Sequence, residues 1–587
     1  MVVAKHRKRT ASKSAPAERR EHERPRERSR IASLARPIAI VVALALIAFA
    51  NTLRNGFTLD DIPIVAENPV TRSMANLPTV FATNYWSRGG TEVIGDPTLY
   101  RPLTVSTYAL DYAVWGLSPV GYHATNVVLH AVTSVVVLLV GVEVLGATAA
   151  AVAAASIFAV HPVHTEAVAG IVGRAEILAT LFVLLAFLVM RRRANGGVRD
   201  TRAGNAMRAT ALGGLLYLLG LFSKESAVTL PALIALDDWL GRPVVPDGDR
   251  TPSATSALRY GALAVALAIY LAFRQYAVSG PPHLWPGFAG VSAGERILTA
   301  SRVMLEYVGL FVFPRTLQAD YWKTDVPIAS LGDPLALLSV AVWIAVAVFV
   351  FRFRRREPAL VLAIAWFFIT IAPVSNLAFP IGVAKAERLL YLPSVGLCLA
   401  VGWAYERVAR RVAVNRLPNA ALAVIVIALG LRAVVRNRDW RDNYTLATAT
   451  LRVSPSSPLM SDLAAEALAR SGDMNRALAL LQEAVRQAPE MPLIRTHLGL
   501  VYYGMGRFDD AIAAYRESIR QHPSEAEAYN NLGVAYARVG QRERAAEAYR
   551  EALRLKPDYA APRDNLERLN SAAPPASGPT APPVKQP

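Results

Sequence analysis

Long apolar stretches alternate with short polar, basic or aromatic breaks along most of this chain, and the apolar stretches have the length of membrane spans. Beyond residue 120 they recur at roughly 15 to 24 residues, where about 20 suffice to cross about 30 Å of hydrocarbon as a helix. The pattern predicts spanning helices at 37–53, 122–145, 147–163, 172–190, 209–223, 226–240, 259–278, 335–351, 359–376, 389–404 and 419–435. The first reads as an uncleaved signal anchor, because no small-residue cleavage site follows it. Basic clusters at 191–193 with Arg199 and Arg202, at 242–259, at 352–356 and at 407–416 mark the cytoplasmic loops. The run 297–313 is also apolar, but as a span it would carry Arg352, Arg354, Arg355 and Arg356 outside, so it reads as re-entrant or interfacial. That leaves eleven spans, with the N-terminus inside and the C-terminus outside.

Two regions break this rhythm. Residues 54–121 are polar and aromatic, with Tyr85, Trp86, Tyr100 and Trp115, and read as a long first external loop containing interfacial helices. After a linker at 436–457 the composition becomes that of a soluble helical protein with a period of 34 residues, in units 458–491, 492–525 and 526–559. Equivalent positions carry Leu468, Tyr502, Tyr536; Ala477, Ala511, Ala545; Leu481, Tyr515, Tyr549; and Pro489, Pro523, Pro557. Small residues that let paired helices approach, aromatics that fill the gap and prolines that end the second helix make a tetratricopeptide pattern. A capping helix is expected over 558–570 and a disordered tail over 571–587. The fold class is all-α: a polytopic transmembrane bundle followed by an α-solenoid.

Composition sharpens this picture. Of 587 residues 53% are hydrophobic and 18% charged, and the mean hydropathy of +0.29 excludes an ordinary soluble enzyme. Net charge is +18, but residues 1–36 hold 12 Lys and Arg against 4 Glu, so +8 belongs to a tail that reads as disordered and cytoplasmic. Because the excess is local, no nucleic-acid partner is expected. The single cysteine, Cys398, excludes an intrachain disulfide framework and a cysteine-based zinc site. Arginine far outnumbers lysine and alanine is abundant, which points to a GC-rich bacterial genome; with the apolar spans, the expected location is a bacterial inner (cytoplasmic) membrane.

Ionisable groups at membrane edges are costly, and this topology sorts them to the outer side. Asp60 and Asp61 follow the first span, where one carboxylate can take a proton from an acceptor hydroxyl while the other orients it; alternatively, both are solvated acids. Arg174, Arg101, Lys224 and Arg388 are candidates for a lipid-linked phosphate, or pair with Glu176, Glu225 and Glu387. His123, Asn126 and His130 share one helix face. His161, His164, Glu166, Asp320 and Glu387 complete the set shaping the site. The HxxHxE order at 161–166 is not a zinc-protease motif, and neither a metal nor another cofactor is expected.

These residues resemble the transmembrane and tetratricopeptide-repeat O-mannosyltransferases of the GT-C superfamily. The likeness rests on GFTLDD at 56–61 with NPV at 68–70, YRPLT at 100–104, and GYHATN at 121–126 with Leu129-His130. FAVHPVHTEAVAGIVGRAE at 158–176, FSKES at 222–226, ERLLYLPS at 387–394 and the repeats complete it. The resemblance implies inverting transfer of a sugar, mannose in that family, from a polyprenyl-phosphate carrier to a protein Ser or Thr hydroxyl. It implies Asp60 as general base, Asp61 in positioning, and Arg174 or Arg388 at the donor phosphate. The repeats would hold the acceptor protein, with Tyr529, Asn530 and Asn531 in the groove. Competing readings are a transferase acting on a glycan or lipid, and a non-catalytic scaffold that recruits partners through the repeats.

Overall fold

The computed structural model describes residues 34–89, 95–195, 203–241, 254–280, 284–412 and 416–571. Most of the two tails expected to be disordered, 1–33 and 572–587, lies outside the described residues, as do Arg199, Arg202 and most of the basic loop at 242–259. Among the described residues no β-strand forms.

Each predicted span coincides with a helix. These are α1 (Leu34–Arg54, ending in a 3-10 turn), α4 (Pro119–Leu145), α5 (Thr148–Val160), α7 (Arg174–Asn195), α8 (Ala203–Ser223), α9 (Leu230–Gly241), α10 (Ala254–Ala277), α12 (Pro334–Phe353), α13 (Pro358–Ile371), α14 (Pro393–Arg411) and α15 (Arg416–Asn437). Six helices of the described residues are long and apolar enough to cross a bilayer by themselves. A seventh crossing results if Thr148–Val160 and Pro162–Ala169, bent by 49°, form one broken span, and Met207–Ser223 and Pro358–Val374 are shorter apolar helices. The first external loop folds into α2 (Leu77–Ala82) and α3 (Pro102–Trp115), and α6 (Thr165–Ala169) follows the bend. The run 297–313 lies in α11 (Ala293–Val312), opened by a Ser292/Glu295 capping box and carrying Arg302 and Glu306; it is not among the helices apolar enough to span.

Helix boundaries follow local chemistry. Proline opens α3, α4, α12, α13 and α14, where its missing N–H costs nothing, and α4 ends on Gly146 at φ +69°, the left-handed conformation suited to glycine. The alanine-rich α5 is buried along nearly its whole length among α4, α14 and α15. Close backbone approach depends on small residues there: a Cβ at Gly402 of α14 would lie 2.4 Å from the Ala150 carbonyl oxygen of α5.

The segment 436–457 is folded, with buried Trp440 preceding α16 (Asn443–Leu451). The solenoid follows as α17 (Pro458–Arg470), α18 (Met474–Gln487), α19 (Pro492–Gly504), α20 (Phe508–Gln521), α21 (Ala526–Arg538) and α22 (Arg542–Leu555), closed by α23 (Ala560–Asn570). Ala477, Ala511 and Ala545 are fully buried, and the Tyr515 and Tyr549 rings fill the space that a side chain at Gly499 or Gly533 would occupy. The repeats sit against the membrane region: Ser454 and Ser457 hydroxyls donate to Asp325 and Asp320 at 2.7 and 2.6 Å, and Lys323 pairs with Glu490.

Candidate functional site

Asp60 and Asp61 lie in the turn that follows the first span, and their environments differ. Asp61 is buried: its Oδ2 accepts the Thr58 N–H at 3.2 Å, and its Oδ1 accepts the Val172 N–H at 2.8 Å. Burial pushes its carboxyl up to about 7 in spite of these donors. Asp60 is partly exposed and lies within electrostatic range of the Arg388 and Arg101 guanidiniums and of Glu166. Burial raises its pKa and Glu166 adds to the rise, while the two arginines oppose it.

The expected cations divide likewise. Arg388 keeps about a third of its side chain exposed and is anchored by Glu166, which accepts both its guanidinium and, at 2.8 Å, its backbone N–H. Arg101 donates to Glu225 at 3.1 Å and stacks over the Tyr85 ring at 4.8 Å; the Tyr100 N–H takes the other Glu225 oxygen. Arg101 also borders a cleft lined by Asn84, Tyr85, Ser87, Pro102 and Val105. Lys224 and Glu176 form a buried ion pair.

Arg174 does not occupy the position expected of a phosphate ligand. It is fully buried and saturated, bound to Asp111 at 2.5 Å, to Asn126 Oδ1 at 2.7 Å, to the Thr107 hydroxyl and carbonyl, and to the Tyr122 carbonyl, and it stacks on Tyr108. Asn126, whose amide donates to the Val168, Gly170 and Ile171 carbonyls, belongs to the same internal network. A guanidinium committed to five protein oxygens has no donor left for a substrate.

The histidines, too, act inside the bundle. His130 bridges the Tyr391 hydroxyl and the Ala159 carbonyl, His164 bridges the Phe158 carbonyl and the Ser394 hydroxyl, and His161 contacts the Phe311 carbonyl while its Nδ1 accepts the Val163 N–H. His123 Nε2 meets the Gly56 carbonyl at 3.3 Å. Among the described residues no group of three or more His, Cys, Asp or Glu converges to hold a metal ion.

Glu387 is buried, accepting the Gln318 N–H and the Tyr321 hydroxyl with Arg436 at 3.8 Å, and burial pushes it up to about 7. Asp320 holds Ser457 of the repeat region. In the solenoid, Asn530 and Asn531 are buried rather than lining an open groove, with Asn530 accepting from Asn565 of α23; Tyr529 is half-buried.

Sequence reasoning missed three residues of this site. Tyr85 lies against Arg101 and feels Asp60, and it was only one aromatic among several in the loop. Asp111 is the lone charge in the otherwise uncharged α3, a signal that a buried partner exists. Asn443 is 384 positions from the Leu59 N–H that it accepts at 2.9 Å, and no local pattern marks it.

Two tetratricopeptide repeat matches cover residues 430–492 and 497–560. Repeat proteins of known structure match parts of the chain: the first repeat domain of Spaghetti (RPAP3) bound to an HSP90 peptide (19% identity, 20% of this chain and 91% of that one, TM-score 0.19) and MamA of Desulfovibrio magneticus RS-1 (20% identity, 29% and 83%, TM-score 0.21). Over most of its length the chain is similar to the protein O-mannosyl-transferases TMTC3 of Mus musculus (26% identity over 448 residues, 72% of this chain and 48% of the relative), Tmtc3 of Drosophila melanogaster (27% over 499, 73% and 53%) and TMTC4 of Homo sapiens (28% over 463, 71% and 61%). It spans about half the length of the first of these relatives. An all-helical membrane region followed by tetratricopeptide repeats thus makes this chain similar to the protein O-mannosyl-transferases, the family its loop motifs resemble.

Proposed function

We propose that this protein is an integral membrane glycosyltransferase that moves a sugar, mannose by its likeness to named relatives, from a polyprenyl-phosphate donor to Ser or Thr hydroxyls of proteins outside the cytoplasm. The observation that carries this reading is a partly exposed Asp60 just beyond the first span, within electrostatic range of Arg388, which keeps a third of its side chain open, and of Arg101. Asp60 takes the proton of the acceptor hydroxyl, the oxygen attacks the anomeric carbon from the opposite face, and the bond to the carrier phosphate breaks with inversion. Arg388 and Arg101 stabilise the charge that develops on the departing polyprenyl phosphate. Asp61 orients the turn, and Glu166 and Glu225 aim the two guanidiniums. The repeats, a protein-interaction fold, present the acceptor, and Tyr529 stays a candidate contact. The setting is a bacterial inner membrane, with the N-terminus cytoplasmic and the repeats outside.

The test is transfer of labelled sugar from polyprenyl-phosphate mannose to envelope proteins in membranes bearing wild type, Asp60→Asn or Asp61→Asn at matched expression. Loss of Ser/Thr-linked label with Asp60→Asn supports the reading. Undiminished labelling in both variants and in a deletion strain, with a partner still captured by the repeats, replaces it with the scaffold.

A further inference from the structure

Leu59, immediately before Asp60, has φ +47°, a left-handed backbone that is strained for an L-residue with a side chain. Two contacts hold it there, and all but one of the residues that make them come from the far end of the chain. Its N–H donates to Asn443 Oδ1 at 2.9 Å, and its side chain packs against two small clusters, one of Ala169, Trp440 and Leu446, the other of Ala447, Met460 and Ala464. Asn443 is itself fixed as the first residue of α16, whose N-terminus is capped by the Asp442 side chain accepting the Thr445 N–H at 2.8 Å. The strand of chain leading to Leu59 is splinted to the same segment: the Gly56 N–H donates to the Arg441 carbonyl at 2.9 Å and the Asn55 amide to the Asn437 carbonyl at 3.0 Å. On the other side of Asp60, Asp61 is tied to Thr58 and Val172. The Asp60 carboxylate is therefore carried on a strained turn whose two flanks are clamped, one by the membrane bundle and one by the helix that leads into the repeats.

We propose that Asn443 is a positioning residue for Asp60, holding the Leu59 turn in the left-handed conformation from which Asp60 projects. This rests on Asp60 being the base. Without the Asn443 acceptor, the Leu59 N–H loses its partner and the turn relaxes towards an ordinary backbone conformation. Asp60 then turns away from the arginines, while Arg388, held by Glu166, stays in place to bind donor phosphate. The rate of transfer depends on Asn443; donor affinity does not.

The test compares Asn443→Ala, Asn443→Asp and Asp60→Asn in the full-length protein in detergent, with polyprenyl-phosphate mannose as donor and host envelope proteins as acceptor. Asn443→Ala is expected to lower kcat at least tenfold with donor KM within twofold, to shift the acid limb of the pH profile, and to accelerate hydrogen exchange of the Leu59 amide. Asn443→Asp keeps an acceptor oxygen at the same place and is expected to restore all three to within about threefold. If Asn443→Ala does not accumulate, Asn443→Ser carries the same comparison. An unchanged kcat and pH profile in Asn443→Ala beside an inactive Asp60→Asn overturns the positioning role and leaves the proposed chemistry standing. So does a loss of kcat with an unmoved acid limb, or an equal loss in Asn443→Asp. An active Asp60→Asn instead removes the base assignment on which the inference rests.

Discussion

The Asp61 carboxylate accepts the Val172 backbone N–H at 2.8 Å, joining the first external loop to the turn that opens α7. The neighbouring carboxylate of Asp60 has no such tie among the described hydrogen bonds and lies in the field of two arginines instead. Two adjacent acids with the same chemistry thus hold different positions in the molecule.

Asp61→Ala leaves the Val172 and Thr58 N–H groups without their acceptor and is expected to cost about 2–4 kcal/mol. Asp60→Asn, at a partly open position, is expected to change stability by less than about 1 kcal/mol and to lower transfer by at least about 100-fold. Thermal unfolding in detergent, paired with transfer assays, checks both. A stable but inactive Asp61→Ala protein would exchange the two roles.

The acid limb of kcat/KM is expected above the ordinary aspartate range, because burial raises Asp60 and a base must be deprotonated to act. Arg388 opposes that rise, so Arg388→Gln should move the limb to still higher pH. It should also raise donor KM about tenfold or more by removing a phosphate ligand. A pH profile that is the same in both proteins would contradict the placement of Arg388 beside Asp60.

Arg174 and Asp111 form a buried pair, and removing one partner strands the other charge. Arg174→Met is expected to destabilise the protein by about 3–5 kcal/mol, and adding Asp111→Leu to recover much of that loss. Whatever Arg174→Met protein folds should bind donor with near wild-type KM, in contrast to Arg388→Gln. A large rise in KM for Arg174→Met at unchanged stability would restore Arg174 to the donor site.

In the repeats, burial works against a charged His497, but Asp462 at 2.7 Å outweighs it and, with Glu466 and Glu527, lifts the imidazole to about 9. A histidine raised in the folded state stabilises fully below its unfolded pKa of about 6.5 and loses that contribution as pH rises through the folded value. The repeats should therefore lose on the order of 2 kcal/mol between about pH 6.5 and pH 10, after screening at this quarter-exposed ring. Hydrogen exchange across α17 and α19 in the full-length protein reads this directly, and Asp462→Asn should flatten the dependence. Equal protection at both pH values in wild type would exclude the ion pair.

Much of the architecture was legible beforehand. Each of the eleven predicted apolar runs became a helix, and the 34-residue period placed Ala477, Ala511 and Ala545 where helices touch. The candidate site was only half legible. Asp60, Arg101 and Arg388 do gather beyond the first span, yet Arg174, Asn126 and the histidines of α4 and the 161–166 turn, equally polar and equally near the membrane edge, face inward. Asn530 and Asn531 were misread for the same reason: their place in a helix was predictable, but the packing of α23 over them was not.

The sequence alone determined helix, apolar run and repeat, because those depend on periodicities of 3.6 and 34 residues and on how many apolar side chains stand in a row, all properties of neighbours along the chain. The tertiary structure decided which polar groups are saturated internally and which remain open. A charge or amide is defined by the partners that desolvate and satisfy it, and here those partners are far away in sequence: Glu166 for Arg388, Glu225 for Arg101, and Asn443 for Leu59 across 384 residues.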